Sequence, residues 1–127
     1  MKKILVVEDD NFLANVYRIK LKKAGFEITI ATDGAEALEK IKSQNFDLII
    51  LDLIIPKIDG FGVLTEIRSQ EKYKKLPILV ASNLGQVEDL NRAMKLGAND
   101  FVIKSDTPLN SLIEKIKKLI TQSDNQQ

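Results

Sequence analysis

Apolar residues fall in five short runs along this chain, and helical periodicity fills the gaps between them. Ile4-Leu5-Val6-Val7 and Leu48-Ile49-Ile50-Leu51 are apolar at every position. A run without polar alternation reads as a strand covered on both faces, as in a parallel sheet. The pattern predicts strands over 3–7, 27–31, 47–51, 77–81 and 101–103. A first helix is predicted over 11–24, where Leu13, Val16, Tyr17, Leu21 and Ala24 follow helical spacing and Gly25 offers a left-handed stop. Asp33, with Glu36 three residues on, is a capping-box-like opening to a second helix through Ile41. Phe61, Leu64 and Ile67 mark a third helix, and residues 86–96 a fourth, stopped by Gly97. Thr107 as a cap and Pro108 at the first helical position open a fifth, running through Ile120.

Strand and helix alternating five times through short loops give an α/β, (βα)5 architecture, a parallel sheet with helices on both faces. Periodicity does not set the strand order. The second strand, Glu27-Ile28-Thr29-Ile30-Ala31, alternates as an edge strand does, and an order of 2-1-3-4-5 is consistent with that. One domain is expected over 1–121, followed by a polar tail over 122–127 that frays.

Composition narrows the classes. The chain has 127 residues, enough for a real core. Nineteen basic and eighteen acidic residues leave a net charge of +1 and no basic stripe, so direct nucleic-acid binding is not expected. No cysteine is present, which excludes disulfides and thiolate metal sites and fits a reducing compartment. No histidine is present, which excludes imidazole ligands and a phosphohistidine on this chain. The apolar run after Lys2-Lys3 stops at Glu8, short of the roughly 7–15 residues of a signal-peptide core. No run approaches the ~20 residues of a membrane span. A soluble, cytoplasmic protein without membrane contact is expected.

The chemistry gathers where strands end. Glu8 and Asp9 close the first strand, Asp52 the third, Ser82 the fourth and Lys104 the fifth. Parallel strands put these ends on one rim, where open α/β sheets bind ligands. Converging carboxylates repel unless a cation joins them, and a hard divalent cation such as Mg²⁺ prefers such oxygens. A carboxylate beside it can act as a nucleophile toward phosphorus, with Lys104 and the Ser82 hydroxyl pairing with phosphoryl oxygens. Taken singly, each residue has a plainer reading. Asp52 and Asp10 suit turns or caps, Ser82 a loop start, and Lys104 a solvated charge or edge guard. Their conjunction at four strand ends, where folding requires none of them, points to a site.

Ile4-Leu5-Val6-Val7-Glu8-Asp9-Asp10, Asp52-Leu53-Ile54-Ile55-Pro56-Lys57-Ile58-Asp59-Gly60, Leu76 to Ser82 and Gly97 to Lys104 together resemble the receiver domain of bacterial two-component response regulators. The resemblance covers about residues 2–121 and implies the flavodoxin-like order 2-1-3-4-5, which the chemotaxis member of that family has. It implies that Asp52 accepts a phosphoryl group from a phosphohistidine on a sensor histidine kinase or phosphotransfer protein. It implies one Mg²⁺, with Asp9 a direct ligand, Glu8 acting through water, and Asp52 and the Ile54 backbone carbonyl as further ligands. Ser82 would be the hydroxyl that moves toward the phosphoryl group, Phe101 the aromatic switch, and Lys104 a phosphoryl contact. The implied role is a phosphorylation switch and not an enzyme acting on a separate substrate.

Three positions depart from the commonest family pattern. Ser105 stands where most relatives have a proline after a cis peptide, Asn83 where a small Ala or Gly is usual, and Phe101 lacks a phenolic hydroxyl. With no proline the Lys104–Ser105 peptide is expected trans. Ile54 and Leu84, two residues beyond Asp52 and Ser82, border the approach of a hydrolytic water in this family.

Val87, Leu90 and Met94 share one face of the fourth helix; they form either its core face or, by resemblance, an exposed partner surface at Val87 and Leu90. Three rival functions are weaker. An aspartyl-phosphate hydrolase needs a second Asp at 54, which is Ile. A flavin carrier needs a hydroxyl- and glycine-rich phosphate loop where Glu8-Asp9-Asp10 stand. A degenerate scaffold would not keep the full set of acid, serine and lysine. The partner kinase, signal and output are not legible, nor is whether the chain stands alone or belongs to a longer protein.

Overall fold

The computed structural model describes residues 1–125. In chain order the elements are β1 (Lys3–Val7), α1 (Asn11–Lys23), β2 (Glu27–Ala31), α2 (Gly34–Ser43), β3 (Leu48–Leu51) and α3 (Gly60–Arg68). There follow β4 (Ile78–Ser82), α4 (Val87–Lys95), β5 (Asp100–Ile103) and α5 (Leu109–Asn125). Single 3-10 turns occupy Glu71–Tyr73 and Lys104–Asp106. The strands form one parallel sheet in the order β2-β1-β3-β4-β5, as the resemblance implies. No helix among the described residues is long and apolar enough to cross a membrane.

The unbroken apolar runs follow from burial on both sides. Leu5, Val7, Ile49, Leu51 and Val80 face a core shared with Ala37, Ile41, Leu64, Ile67 and Ala93. Their neighbours Ile4, Val6, Leu48, Ile50 and Leu79 face a second core with Tyr17, Leu21, Leu112, Ile116 and Ile120. Each wholly buried Leu or Ile contributes about 1.5–3 kcal/mol, several times any difference in local propensity. Burial therefore fixes where the strands lie, and pairing fixes their register. Val7 sits beside Leu51, Leu51 beside Val80, and Ser82 beside Ile103.

Caps set the helix entries. Asp10 accepts from Leu13 N–H at 3.1 Å, Asp33 from Glu36 N–H at 2.7 Å, and Asp59 from Gly62 N–H at 2.9 Å. Glu36 returns a bond to the Thr32 N–H at 3.1 Å, one residue before the cap, so the expected box is shifted by one position. Gly60 opens α3 directly against the end of β3: a Cβ there would stand 2.4 Å from the Asp52 carbonyl oxygen.

Three expectations need correction. Residues 122–125 of the expected tail are helical: α5 runs on to Asn125, and Asp124 pairs with Lys2 at 3.0 Å. Residues 126 and 127 lie outside the described residues. Thr107-Pro108 is displaced by one step: the Leu112 N–H bonds the Pro108 carbonyl at 3.1 Å, which puts Pro108 at the cap. The core-face reading of α4 fails, because Val87 is 65% and Met94 46% exposed. The helix buries Ala93 instead, and a small side chain lets its backbone lie close to the core. Every peptide bond among the described residues is trans, Lys104–Ser105 included.

Lys57 has φ +69°, a left-handed conformation in the loop between β3 and α3. Its ion pair with Asp33, at 3.4 Å, is too exposed at Lys57 to offset much of that strain. Asn tolerates this region and β-branched residues do not. Lys57→Val is therefore expected to destabilise the fold by about 1 kcal/mol or more, and Lys57→Asn to raise the urea midpoint. Equal midpoints for the two variants would show that the loop relaxes at no cost.

Candidate metal centre

The acids hang from a fixed ladder. The Glu8 N–H donates to the Ala31 carbonyl at 2.9 Å and the Asp52 N–H to the Val7 carbonyl at 3.2 Å, so both backbones continue the strand pairing by one residue. Glu8, Asp52 and Ser82 are buried, whereas Asp9 is exposed at the mouth. One oxygen each from Glu8, Asp9 and Asp52 lies within 4.8 Å of the others.

Each oxygen of the two buried carboxylates accepts a hydrogen bond. Asp52 Oδ1 accepts from Ser82 Oγ at 2.8 Å and from the Ile54 N–H at 3.1 Å, and Oδ2 from Lys104 Nζ at 2.6 Å. Lys104 Nζ also donates to Glu8 Oε1, and the Asp10 N–H to Glu8 Oε2 at 3.1 Å. Asp10, expected as a turn or cap, is thus both the cap of α1 and a donor to the site. Glu8 and Asp52 share one ammonium and Asp9 adds a third carboxylate at the mouth, which leaves an excess of negative charge at the rim. Burial pushes the Glu8 carboxyl above its usual range, and Lys104 offsets this only in part. Burial pulls Lys104 down, but its bonds to Asp52 and Glu8 outweigh that and hold its ammonium above the usual lysine range.

This donor set is all oxygen, anionic and undersupplied with positive charge. It fits a hard divalent cation, which takes carboxylates and keeps several waters. Ser82 and Lys104 stand on the same carboxylate from the β4 and β5 ends, so the sequence-predicted residues Glu8, Asp9, Asp52, Ser82 and Lys104 meet at one rim. Phe101 is half-buried and packed against the core shared with α3 and α4. Ile54 presents a 56% exposed side chain beside Asp52. In the sequence Asn83 is a departure from a pattern, with an amide that could reach the site and hold a water. In the structure its side-chain oxygen accepts from the Ser105 N–H at 3.0 Å. The partner is a backbone amide that carries no sequence signal, although the missing proline at 105 is the clue that such a donor exists.

A doubly wound (βα)5 sheet with carboxylates, a hydroxyl and an ammonium at one rim is the arrangement that the resemblance to receiver domains implies. A family model described as the response regulator receiver domain matches residues 4–117, and the chain belongs to that family. It is 36% identical over 124 residues to the probable transcriptional regulator ycf27 of Cyanophora paradoxa, covering 98% of this chain and 50% of the relative. It is 31% identical to the DNA-binding dual master transcriptional regulator RpaA of Synechocystis, covering 98% and 51%. The chain thus spans about half the length of these curated relatives. Among solved structures, the Francisella response regulator 1452 receiver domain superposes with a TM-score of 0.90 at 29% identity, covering 97% of this chain and 99% of that one. The response regulator TrrA of Thermotoga maritima, solved in complex with Mg²⁺-BeF, superposes with a TM-score of 0.83 at 36% identity, covering 94% and 99%.

Lys104→Met tests the electrostatics without reference to function. Removing one partner of a buried pair costs about 3–5 kcal/mol, and the 11% exposure of the Lys104 side chain puts this case near the lower end. The sign with pH follows from Glu8. Its raised carboxyl pKa rises further without the ammonium, so the folded state holds the proton more tightly than the unfolded one. The penalty is then largest near neutrality and shrinks as pH falls through the folded pKa toward the ordinary carboxylate range. Urea melts at pH 7 and 4.5 should show the variant closer to the parent at the lower pH. A pH-independent loss would mean that the missing packing, not the charge, dominates.

Proposed function

We propose that Asp52 is the phosphoacceptor of this receiver domain and that one Mg²⁺ is held beside it by Glu8, Asp9, Asp52 and the Ile54 carbonyl. The observation that carries this reading is the Asp52 carboxylate itself, buried at the rim with Ser82 on one oxygen and Lys104 on the other. An Asp52 oxygen attacks phosphorus while the bond from phosphorus to a donor imidazole nitrogen breaks. The electron pair leaves with that nitrogen, and an acyl phosphate remains on Asp52. When bound, Mg²⁺ offsets charge on the phosphoryl oxygens, where catalysis is mostly positioning and electrostatics. Lys104 transfers from Asp52 to a phosphoryl oxygen, and the Ser82 hydroxyl turns toward another. The space Ser82 leaves admits inward rotation of Phe101.

The donor is a sensor histidine kinase or phosphotransfer protein, since this chain has no histidine of its own. The chain acts as a switch rather than an enzyme, because Ile54 stands where a hydrolase of this chemistry would place its second acid. Output runs through α4, whose Val87 and Met94 are exposed while Leu90 is half-buried beside them. Incubation with Mg²⁺ and acetyl phosphate, read by intact mass, should add one phosphate-sized increment. Asp52→Asn should abolish it, and Asp9→Ala should abolish it with the fold intact, since loss of one carboxylate relieves repulsion. A gain that persists in Asp52→Asn would remove Asp52 from the role.

The acyl phosphate is expected to be long-lived. Its hydrolysis needs a water held in line behind phosphorus. Ile54 and Leu84 border that approach without offering a hydrogen bond, and the Asn83 oxygen is already engaged by Ser105. Decay after donor removal should be slower in the parent than in Ile54→Asn with Leu84→Lys. Equal or faster decay in the parent would mean that apolar shielding does not set the lifetime.

A further inference from the structure

The two residues that reach Asp52 from β4 and β5 are Ser82 and Lys104, and the residues next to them in the chain are bonded to each other. Ser82 pairs with Ile103 as the last rung between β4 and β5. Immediately beyond it, the Asn83 side-chain oxygen accepts from the Ser105 N–H at 3.0 Å across 22 residues. Only the oxygen of the amide can accept, so this contact fixes the amide orientation. Ser105 lies inside the 3-10 turn Lys104–Asp106, whose cap residue is Ile103 and makes no side-chain bond. The first N–H groups of such a turn have no partner within it. Asn83 supplies the missing cap from a different loop, and the ladder between β4 and β5 is extended one step by a side chain.

We propose that Asn83 is a positioning residue, a strap whose bond to the Ser105 N–H holds the Lys104 turn in register with Ser82 so that hydroxyl and ammonium converge on one group at Asp52. What that convergence serves rests on the reading of Asp52 as phosphoacceptor. The two unusual residues of the rim then explain each other. A proline at 105 would have no N–H to bond, and a glycine or alanine at 83 would have no acceptor to offer. Together they replace a stiff ring with a hydrogen bond. The strap also carries movement: Ser82 cannot shift without pulling its neighbour Asn83, and Asn83 pulls the turn that leads into α5.

The bond is read first by amide exchange on the intact chain. The Ser105 N–H should be protected in the parent, exchange faster in Asn83→Ala, and regain protection in Asn83→Asp, which keeps an acceptor oxygen. An unprotected Ser105 N–H in the parent would overturn the strap. Positioning is read next, through binding of beryllofluoride with Mg²⁺ as the phosphoryl stand-in. Asn83→Ala should weaken it about three- to tenfold, the range one neutral hydrogen bond supports, with the thermal midpoint little changed. Unchanged affinity would reduce Asn83 to a loop cap without a role in the site. If the parent itself binds no beryllofluoride, the phosphoacceptor reading fails separately. The strap is then decided by the Lys104 and Glu8 backbone resonances, which should shift in Asn83→Ala and stay in place if the proposal is wrong.

Discussion

Two carboxylates buried at one sheet rim, sharing a single ammonium, are the constraint on which this structure turns. Glu8 and Asp52 belong to neighbouring strands, and Lys104 comes from 96 and 52 residues away. Neither acid can be buried charged at acceptable cost without that cation. The cation arrives only when β5 has docked beside β4. The rim is therefore complete only when the whole sheet is, and local structure cannot assemble it early.

Steric and backbone demands follow from the same point. The rim acids sit one residue past their strands yet still bond into the ladder, so their Cα positions are as fixed as those of β1 and β3. The loop after Asp52 must double back tightly, and Gly60 permits α3 to start against the Asp52 carbonyl. The left-handed Lys57 lies in that same loop. Strain and close approach thus collect within a few residues of the acidic centre, while the sheet beneath is filled with ordinary aliphatic packing. That division allows the rim to change its bonds without disturbing the core.

Much of this is legible in the sequence because burial writes itself as pattern. Unbroken apolar runs mark β1 and β3, and the abrupt change to Glu8 and Asp52 marks the rim. What pattern misses are features with no periodicity of their own. The face of α4 is ambiguous because Val87, Leu90 and Met94 satisfy helical spacing whether they point to core or solvent; only the packing of Ala93 decides. The end of α5 is placed too early because Thr121 to Asn125 is polar, yet Ser123 is half-buried and Asp124 reaches Lys2. Strand order needs resemblance, since period tells whether a strand is covered and not which neighbour covers it. The left-handed Lys57 and the Asn83 bond are conformations rather than residue types, and neither can be read from composition.

The resting arrangement also bears on how a switch of this kind works. In the structure the Lys104 ammonium and the Ser82 hydroxyl are already committed to Asp52 and, for Lys104, to Glu8 as well. On the proposed reading a phosphoryl group on Asp52 competes for those same donors. It does not fill an empty pocket; it displaces bonds that exist, and the fold must reorganise by as much as the two bonded arrangements differ in free energy. A ligand shifts a two-state equilibrium only by its differential interaction with the two states. Here that difference is built from one ammonium and one hydroxyl changing partners, both anchored at the ends of adjacent strands. On that reading a displacement passes onward from the strand ends through residues 83–86 and 104–108, which lead into α4 and α5, and those helices are where a change at the rim can become a change of surface.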